Sequence, residues 1–293
     1  MIRRRALVLL TAALLTATPC AAVAATTLGS PGTPTGGCGG GEPVEVIQTQ
    51  RANGTKDAAT APGVITSWTY NQGAGESVVT LRVYRPTAAA NQYVVLTEDG
   101  APRTLAANTG AHTFPTRIPV NAGDTVGLRV TSGSCLTTTS SAVDRLLIKT
   151  GAPTAVGDTA TFPPASSAVT IFVTAALEAD ADRDGYGDET QDRCPQLAST
   201  QAACPPDTVI TKKPKRHSLK PKSKLTFTST VAGSSFSCSI DGKKAKGCTS
   251  PATYKCLKPG KHAFSVVATS PAGVVDPTPA ATKFRVSADR HGC

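Results

Sequence analysis

Apolar residues in this chain recur at every second position in short segments, and helical spacing is nowhere sustained. Val79, Leu81 and Val83 fall on one face of a strand, as do Val126, Leu128 and Val130, and again Val169, Ile171, Val173 and Ala175. A period of two turns one face to a core and the other to solvent. Such strands, separated by Gly, Pro and Asn loops, predict an all-β sandwich or jelly roll. Of the 293 residues, 40% are apolar and 17% charged. That balance excludes wholesale disorder and allows sizeable cores, and the length suits two domains.

The chain divides by composition. Arg3, Arg4 and Arg5 precede the apolar run Ala6 to Ala17, and Ala22-Val23-Ala24 supplies a small-residue cleavage site. This is the pattern of a secretory signal peptide over residues 1–24, too short in its apolar part to span a bilayer. Cys20 does not make it a lipoprotein signal, because Pro19 stands where a small residue is needed. No later apolar run reaches the length of about 18 residues that a span requires, so the mature chain is expected to be secreted or held at the cell surface without a transmembrane segment. Residues 25–41, rich in Gly, Thr and Pro, read as a flexible tether. Residues 42–178 form the first β-sandwich and 179–206 an acidic linker.

Residues 207–293 form a second sandwich. There Leu225, Phe227, Ser229 and Val231 alternate with threonines, and Phe264, Val266 and Ala268 make an inward row that Phe284 and Val286 complete. Its size and turns at Asp241-Gly242, Pro259-Gly260 and Ala272-Gly273 suit an immunoglobulin-like fold. Charge is divided just as sharply. Residues 207–293 hold 16 Lys+Arg against 4 Asp+Glu, a net of +12, whereas residues 42–206 hold 11 against 16, a net of −5.

The linker contains D-A-D-R-D-G-Y-G-D-E-T-Q-D-R-C-P from Asp180 to Pro195. Asp180, Asp182 and Asp184 occupy loop positions one, three and five, and Gly185 the sharp turn at six. A hard cation takes six to eight oxygens, and a curled backbone aims alternate side chains inward, so this is the first half of a calcium loop. Tyr186 would add its backbone carbonyl and Asp188 a carboxylate, directly or through water. Gln191 stands where an EF-hand has its bidentate Glu, which leaves Asp192, one residue later, or Glu189 to close the site. Without an ion, five aspartates within 13 residues repel one another. Calcium is therefore the expected cofactor, stiffening the linker between the two sandwiches.

Export sets an oxidising compartment in which disulfides persist. The eight cysteines beyond Cys20 admit 105 pairings. Short separations favour Cys194–Cys204 and Cys238–Cys248. Cys256–Cys293 would tie down the C-terminus, and Cys38–Cys135 is the remaining pair. Metal-binding thiols are disfavoured because no C-x-x-C pair accompanies histidines.

Asp180 to Pro195 resembles a thrombospondin type-3 repeat, in which an aspartate-rich calcium loop runs into Cys-Pro; here the closing aspartate lies one position late. Pro206 to Val286 is similar to immunoglobulin-like repeats of secreted bacterial proteins, through F-S-C-S-I-D-G at Phe236 to Gly242, C-T-S-P at Cys248 to Pro251 and L-K-P-G-K-H-A-F-S-V at Leu257 to Val266. That second resemblance also implies a Cys238–Cys248 bridge. Together the resemblances imply calcium binding, adhesion and surface presentation rather than catalysis.

Two other features have both a structural and a binding reading. The basic run Lys212, Lys213, Lys215, Arg216, His217, Lys220, Lys222 and Lys224 is either a lysine-guarded entry to an edge strand or a patch for anionic polymers. No aromatic residues interleave with it, which argues against specific nucleic-acid binding. Trp68 and Tyr70 share one strand face and are either core or a sugar-stacking platform. Four histidines (His112, His217, His262 and His291) accompany no G-x-S-x-G, H-E-x-x-H or P-loop motif. The sequence therefore predicts a non-enzymatic calcium-binding protein whose partner is a cell-envelope polymer, glycan or surface protein. The alternative is a carbohydrate-binding accessory to a secreted polysaccharide-degrading system.

Overall fold

The computed structural model describes residues 24–37, 42–107, 110–139, 141–165, 168–218 and 222–287. It is all-β, with no helix among the described residues. The expected signal peptide lies outside them, Ala24 apart.

The front strands are β1 (Thr26–Gly29), β2 (Gly36–Gly37), β3 (Val44–Gln50), β4 (Gly63–Gln72), β5 (Ser77–Pro86), β6 (Gln92–Glu98) and β7 (Arg103–Leu105). They continue with β8 (Gly110–Val120), β9 (Thr125–Ser132), β10 (Ser134–Thr138), β11 (Arg145–Thr150), β12 (Thr159–Thr161), β13 (Val169–Ile171) and β14 (Val173–Glu178). After the acidic linker come β15 (Thr208–Lys212), β16 (His217–Ser218), β17 (Ser223–Ser229), β18 (Ser235–Ile240), β19 (Lys243–Cys248), β20 (Ala252–Tyr254), β21 (Gly260–Thr269) and β22 (Ala280–Val286).

In the front half a sheet of order β1-β14-β4-β8 faces a larger one of order β11-β3-β9-β5-β6-β12. Their inner rows meet in one core: Ile65, Trp68 and Tyr70 from the first sheet lie against Val46, Leu81 and Leu128 from the second. Each such side chain taken fully out of water contributes roughly 1.5–3 kcal/mol. Pro115 and Pro119 sit in β8, an edge strand, where a missing backbone donor is tolerated. Val79, Leu81, Val83, Val126, Leu128 and Val130 are all buried, as the alternation predicts.

Three expectations need correction. Thr26–Gly29, placed in a tether, is strand β1, paired with β14 from Thr26↔Leu177 to Gly29↔Thr174. Leu28 is the reason: it is the stretch's one large apolar side chain, and it is buried in the front core. The row Val169 to Ala175 is two strands. It changes sheets at Phe172, with β13 pairing β10 and β14 pairing β4, although its four apolar residues share one core. Finally, β5 is buried on both faces. Arg82 and Tyr84 lie under a second apolar layer containing Ile47, Val95, Leu147 and Phe162.

That second layer encloses charge. Arg82 pairs with Glu45 and, at 2.7 Å, with Glu98, and it donates to the Thr154 carbonyl at 2.7 Å. Away from that layer, beside Thr170 and Ile171, Arg51 grips Asp57 with two hydrogen bonds of 2.6 and 2.7 Å. Burial pushes the Asp57 carboxyl upward, against the lowering effect of the Arg51 bond and charge.

The back half is a second pair of sheets, β15-β17-β20 and β16-β22-β21-β18-β19. Leu225 and Phe227 from the first meet Cys238, Phe264, Val266, Phe284 and Val286 from the second. Val231 lies beyond the end of β17 and leaves the inward row at Phe227. Cys194–Cys204 and Cys238–Cys248 are bridged as expected. Cys135 and Cys256 are disulfide-bonded; their expected partners, Cys38 and Cys293, lie outside the described residues.

Candidate metal centre

β14 ends at Glu178, and the chain then curls tightly over residues 180–192. The curl is built from aspartate side chains folded back on backbone amides. Asp180 accepts from the Asp184 and Gly185 amides, both at 3.0 Å, and Asp184 Oδ1 accepts from the Tyr186 amide at 2.9 Å. Both oxygens of Asp188 accept from the Ala181 amide at 3.2 Å, which closes the loop across its mouth. Gly185 has φ +84°, a left-handed conformation that disfavours a side chain, in agreement with the turn expected at position six.

These turns gather the carboxylates. One oxygen from each of Asp180, Asp182 and Asp184 lies within 4.8 Å of the others, a group able to hold a metal ion. Asp182 is half-buried, yet both of its carboxylate oxygens are shielded from solvent without a hydrogen-bond partner. Asp192 is 3% exposed, and its Oδ2 is likewise unpartnered, while Oδ1 accepts from the Cys194 amide at 2.7 Å. A buried ionised oxygen with no donor is costly unless a cation or proton meets it. Burial and the charges of Asp184, Asp192 and Asp180 push the Asp182 carboxyl up. Burial and the charges of Asp180, Asp182 and Asp192 do the same at Asp188. The site is thus a nest of mutually repelling oxygens, a donor set suited to a hard cation.

The two candidates for closing the loop separate cleanly. Asp192 is buried and electrostatically coupled to Asp182 and Asp188. Glu189 is exposed, and its Oε2 accepts from the Ala25 amide at 2.8 Å. Gln191, at position twelve, donates to the Thr116 carbonyl at 2.8 Å, so it braces the loop against β8. Tyr186 lies under Arg117, whose guanidinium carbon is 4.2 Å from the ring centroid.

Sequence reasoning missed what seats this loop. Glu178, 2% exposed, accepts from the hydroxyls of Thr66 and Thr190 at 2.8 and 2.7 Å and from the Glu189 and Thr190 amides, both at 2.9 Å. Burial works to raise its pKa, but these hydrogen bonds outweigh that and hold the carboxyl below its ordinary range. A Cβ at Gly187 would come within 2.5 Å of Glu178 Oε2, so the backbone there must be bare to approach the sheet. Gln201, inside the Cys194–Cys204 loop, donates to Asp184 Oδ2 at 2.7 Å. Neither Glu178 nor Gln201 belongs to the aspartate spacing, and only the fold brings them to it.

The aromatic pair resolves as core. Trp68 and Tyr70 are 1% and 0% exposed. Trp68 packs on Phe114 with ring centroids 4.7 Å apart, and its Nε1 donates to Asp99 at 2.6 Å. They present no platform to a sugar. The basic run also disperses. Lys224 faces solvent from β17, Arg216 and His217 lie at the edge of the other back sheet, and Lys220 is outside the described residues.

No family model and no curated protein matches the chain. Among solved structures it is similar to the β-1,2-glucanase from Parabacteroides distasonis, at 12% identity and a TM-score of 0.21. The match covers 84% of this chain and 30% of the glucanase chain. A likeness that slight carries no argument about activity.

Proposed function

We propose that this is a secreted, non-enzymatic, calcium-binding modular protein of the extracellular or cell-surface binding and adhesion type. In this reading Asp180 to Pro195 works as a thrombospondin type-3-like repeat and residues 207–293 as an immunoglobulin-like module. Asp180, Asp182, Asp184, Asp188 and Asp192 would ligate through carboxylates and Tyr186 through its backbone carbonyl. The observation that supports it is the set of shielded, unpartnered oxygens on Asp182 and Asp192 beside Asp180 and Asp184. An all-oxygen set of this kind favours Ca2+ over softer metals. The ion would hold the loop closed against β4 and β8 and so fix where the second sandwich departs.

Calorimetric titration of the mature chain with Ca2+ tests this. Binding is expected at a Kd of about 0.1–1 mM, the range of extracellular modules. Asp192→Asn and Asp184→Ala should each abolish the heat while leaving the Trp68 fluorescence of the front core unchanged. Absence of binding in the wild type, or unchanged binding in both variants, overturns the reading.

A further inference from the structure

The five-stranded sheet of the back half has an outer face whose composition no segment of the sequence displays. Phe264, Val266, Phe284 and Val286 point into the core, so the alternate residues on β21 and β22 point away from it. Register then aligns them. Lys261 pairs with Arg285, and Arg285 pairs with His217 on its other side; Ala263 pairs with Lys283 in the next row. Further along, Ala281, Ser265, Ser239 and Lys244 stand opposite one another across four strands. The result is a floor of serine and alanine between Lys244 at one side and Lys261, Lys283 and Arg285 at the other. Arg216 and His217 extend it at the edge, and an open depression of about 490 Å3 is lined by Arg216, Lys261, Lys283 and Arg285, with His262 and Phe284 also in its wall and Lys244 outside it.

Arg216, Lys244, Lys261, Lys283 and Arg285 are all exposed, and none is in an ion pair among the described residues. Asp241, the acid lining the depression, is already bonded to His262 at 2.7 Å. Like charges placed directly across a strand pair, as at Lys261 and Arg285, destabilise a sheet. Such a row is best satisfied by a ligand that brings the counter-charge.

We propose that this outer face binds a linear acidic polysaccharide. Two positions along a strand are about 6.8 Å apart and neighbouring strands about 4.8 Å, so the cations form a grid along which an extended polyanion lies flat. The hydroxyls of Ser237, Ser239 and Ser265 offer donors and acceptors to sugar hydroxyls between the charged groups. The outward positions carry no aromatic ring on which a nucleobase would stack, and Val267 is the single branched apolar side chain among them, too little to enter a bilayer. This supplies a partner class for the binding role proposed above, yet it uses no residue of the acidic loop.

The test is binding of the mature chain to sized alginate by biolayer interferometry at about 0.1 M salt, with and without chelator. Neutral dextran, single-stranded DNA of matched charge and anionic phospholipid vesicles are the comparison probes. Alginate should bind more tightly than the others, and the exposed double variant K261E/R285E should weaken it by about tenfold or more, a loss of ~1.4 kcal/mol. The control K222E/K224E changes net charge equally but at the start of β17, in the other sheet, and should shift affinity less than about twofold. Chelation should leave binding unchanged, so failure of the metal reading and failure of this one are separate results. Equal losses in the two double variants, equal or tighter binding of DNA or vesicles, or no alginate binding even at low salt would each overturn the proposal.

Discussion

The front and back halves handle charge in opposite ways. In the front half, charged groups are drawn inside and paired: Arg82 with Glu45 and Glu98, Arg51 with Asp57, and Glu178 with two threonines and two amides. In the back half, the exposed cations of the outer sheet face are in no ion pair among the described residues. A buried charge needs hydrogen bonds from its own chain, because unpaired it costs several kcal/mol. Charge left in solvent costs little and remains available to a ligand. The acidic loop lies between these extremes. It is seated by buried bonds, but oxygens of Asp182 and Asp192 are left without donors.

The comparison is broken most forcefully at Arg82. Arg82→Ala leaves Glu45, 1% exposed, with Lys149 at 3.5 Å and two hydrogen bonds from Thr154 in place of its closest cation, and should destabilise the front sandwich by roughly 3 kcal/mol, the low end for breaking a buried pair. Trp68 is the chain's one tryptophan, so urea unfolding followed by its fluorescence reads that half selectively. A loss below about 1 kcal/mol would show that these pairs do not carry the outer layer.

Calcium should give the next largest effect. At a free concentration 100 times Kd, linkage stabilises whatever unit unfolds with the loop by about 2.7 kcal/mol. Because Glu178 and Gln191 fasten the loop to β4 and β8, that gain should appear in the Trp68 transition. Amide exchange in β21 of the back half should not change. Protection that rises in β21 and not in β4 would reverse the assignment of which half the ion supports.

Between pH 6 and pH 9 a pH effect should appear in the back half. His262 is 8% exposed, and its two ring nitrogens meet two acceptors, Asp241 Oδ2 and the Lys258 carbonyl, each at 2.7 Å. Both nitrogens must donate, so the ring is an imidazolium. Burial works to lower its pKa, but the Asp241 bond, the Lys258 carbonyl and the Asp241 charge outweigh that, and the net shift is upward from 6.5. A raised folded pKa stabilises fully below the unfolded value and is lost as pH rises through the folded one. Asp241 shows the converse. Burial would raise it, but His262, the Ala263 amide and the Lys243 charge bring it below 3.8, so its contribution fades as pH falls through that lowered value. Exchange protection of β21 should therefore decline on going from pH 6 to pH 9, and His262→Gln should flatten that slope. An unchanged slope in the variant would place the titrating group elsewhere.

The smallest effect belongs to the exposed cations. Lys283→Ala should change back-half stability by no more than about 0.5 kcal/mol, read by thermal unfolding, since the side chain is exposed and in no ion pair among the described residues. A loss comparable with that of Arg82→Ala would abolish the contrast between the halves.

Much of this was legible in the residue order. The alternation at Val79–Val83, Val126–Val130 and Phe264–Ala268 marks strands because side-chain direction along a strand depends only on neighbours in sequence. The aspartate cluster was legible for the same reason: positions one, three and five of a tight loop converge whatever lies around it. Leu28 went unread within a polar stretch, since a single apolar residue has no period. The second face of β5 also escaped, because its cover comes from Ile47 and Val95 on neighbouring strands and from Leu147 and Phe162, roughly 60 to 80 positions later. Tyr84 and Phe162 meet edge to face only after the chain has crossed the sheet.

The sequence by itself determined local things: that the chain makes strands, which side chains alternate inward, where the acidic loop curls and which short-range cysteines bridge. All of these depend on spacing within a dozen or so residues. Tertiary structure alone decided how Glu178 and Gln201 reach the aspartates, why Asp192 and not Glu189 turns inward, and that Lys261, Arg285 and His217 stand in one row. Those facts depend on strand register between distant segments, and register is set by the packing of two sheets against each other.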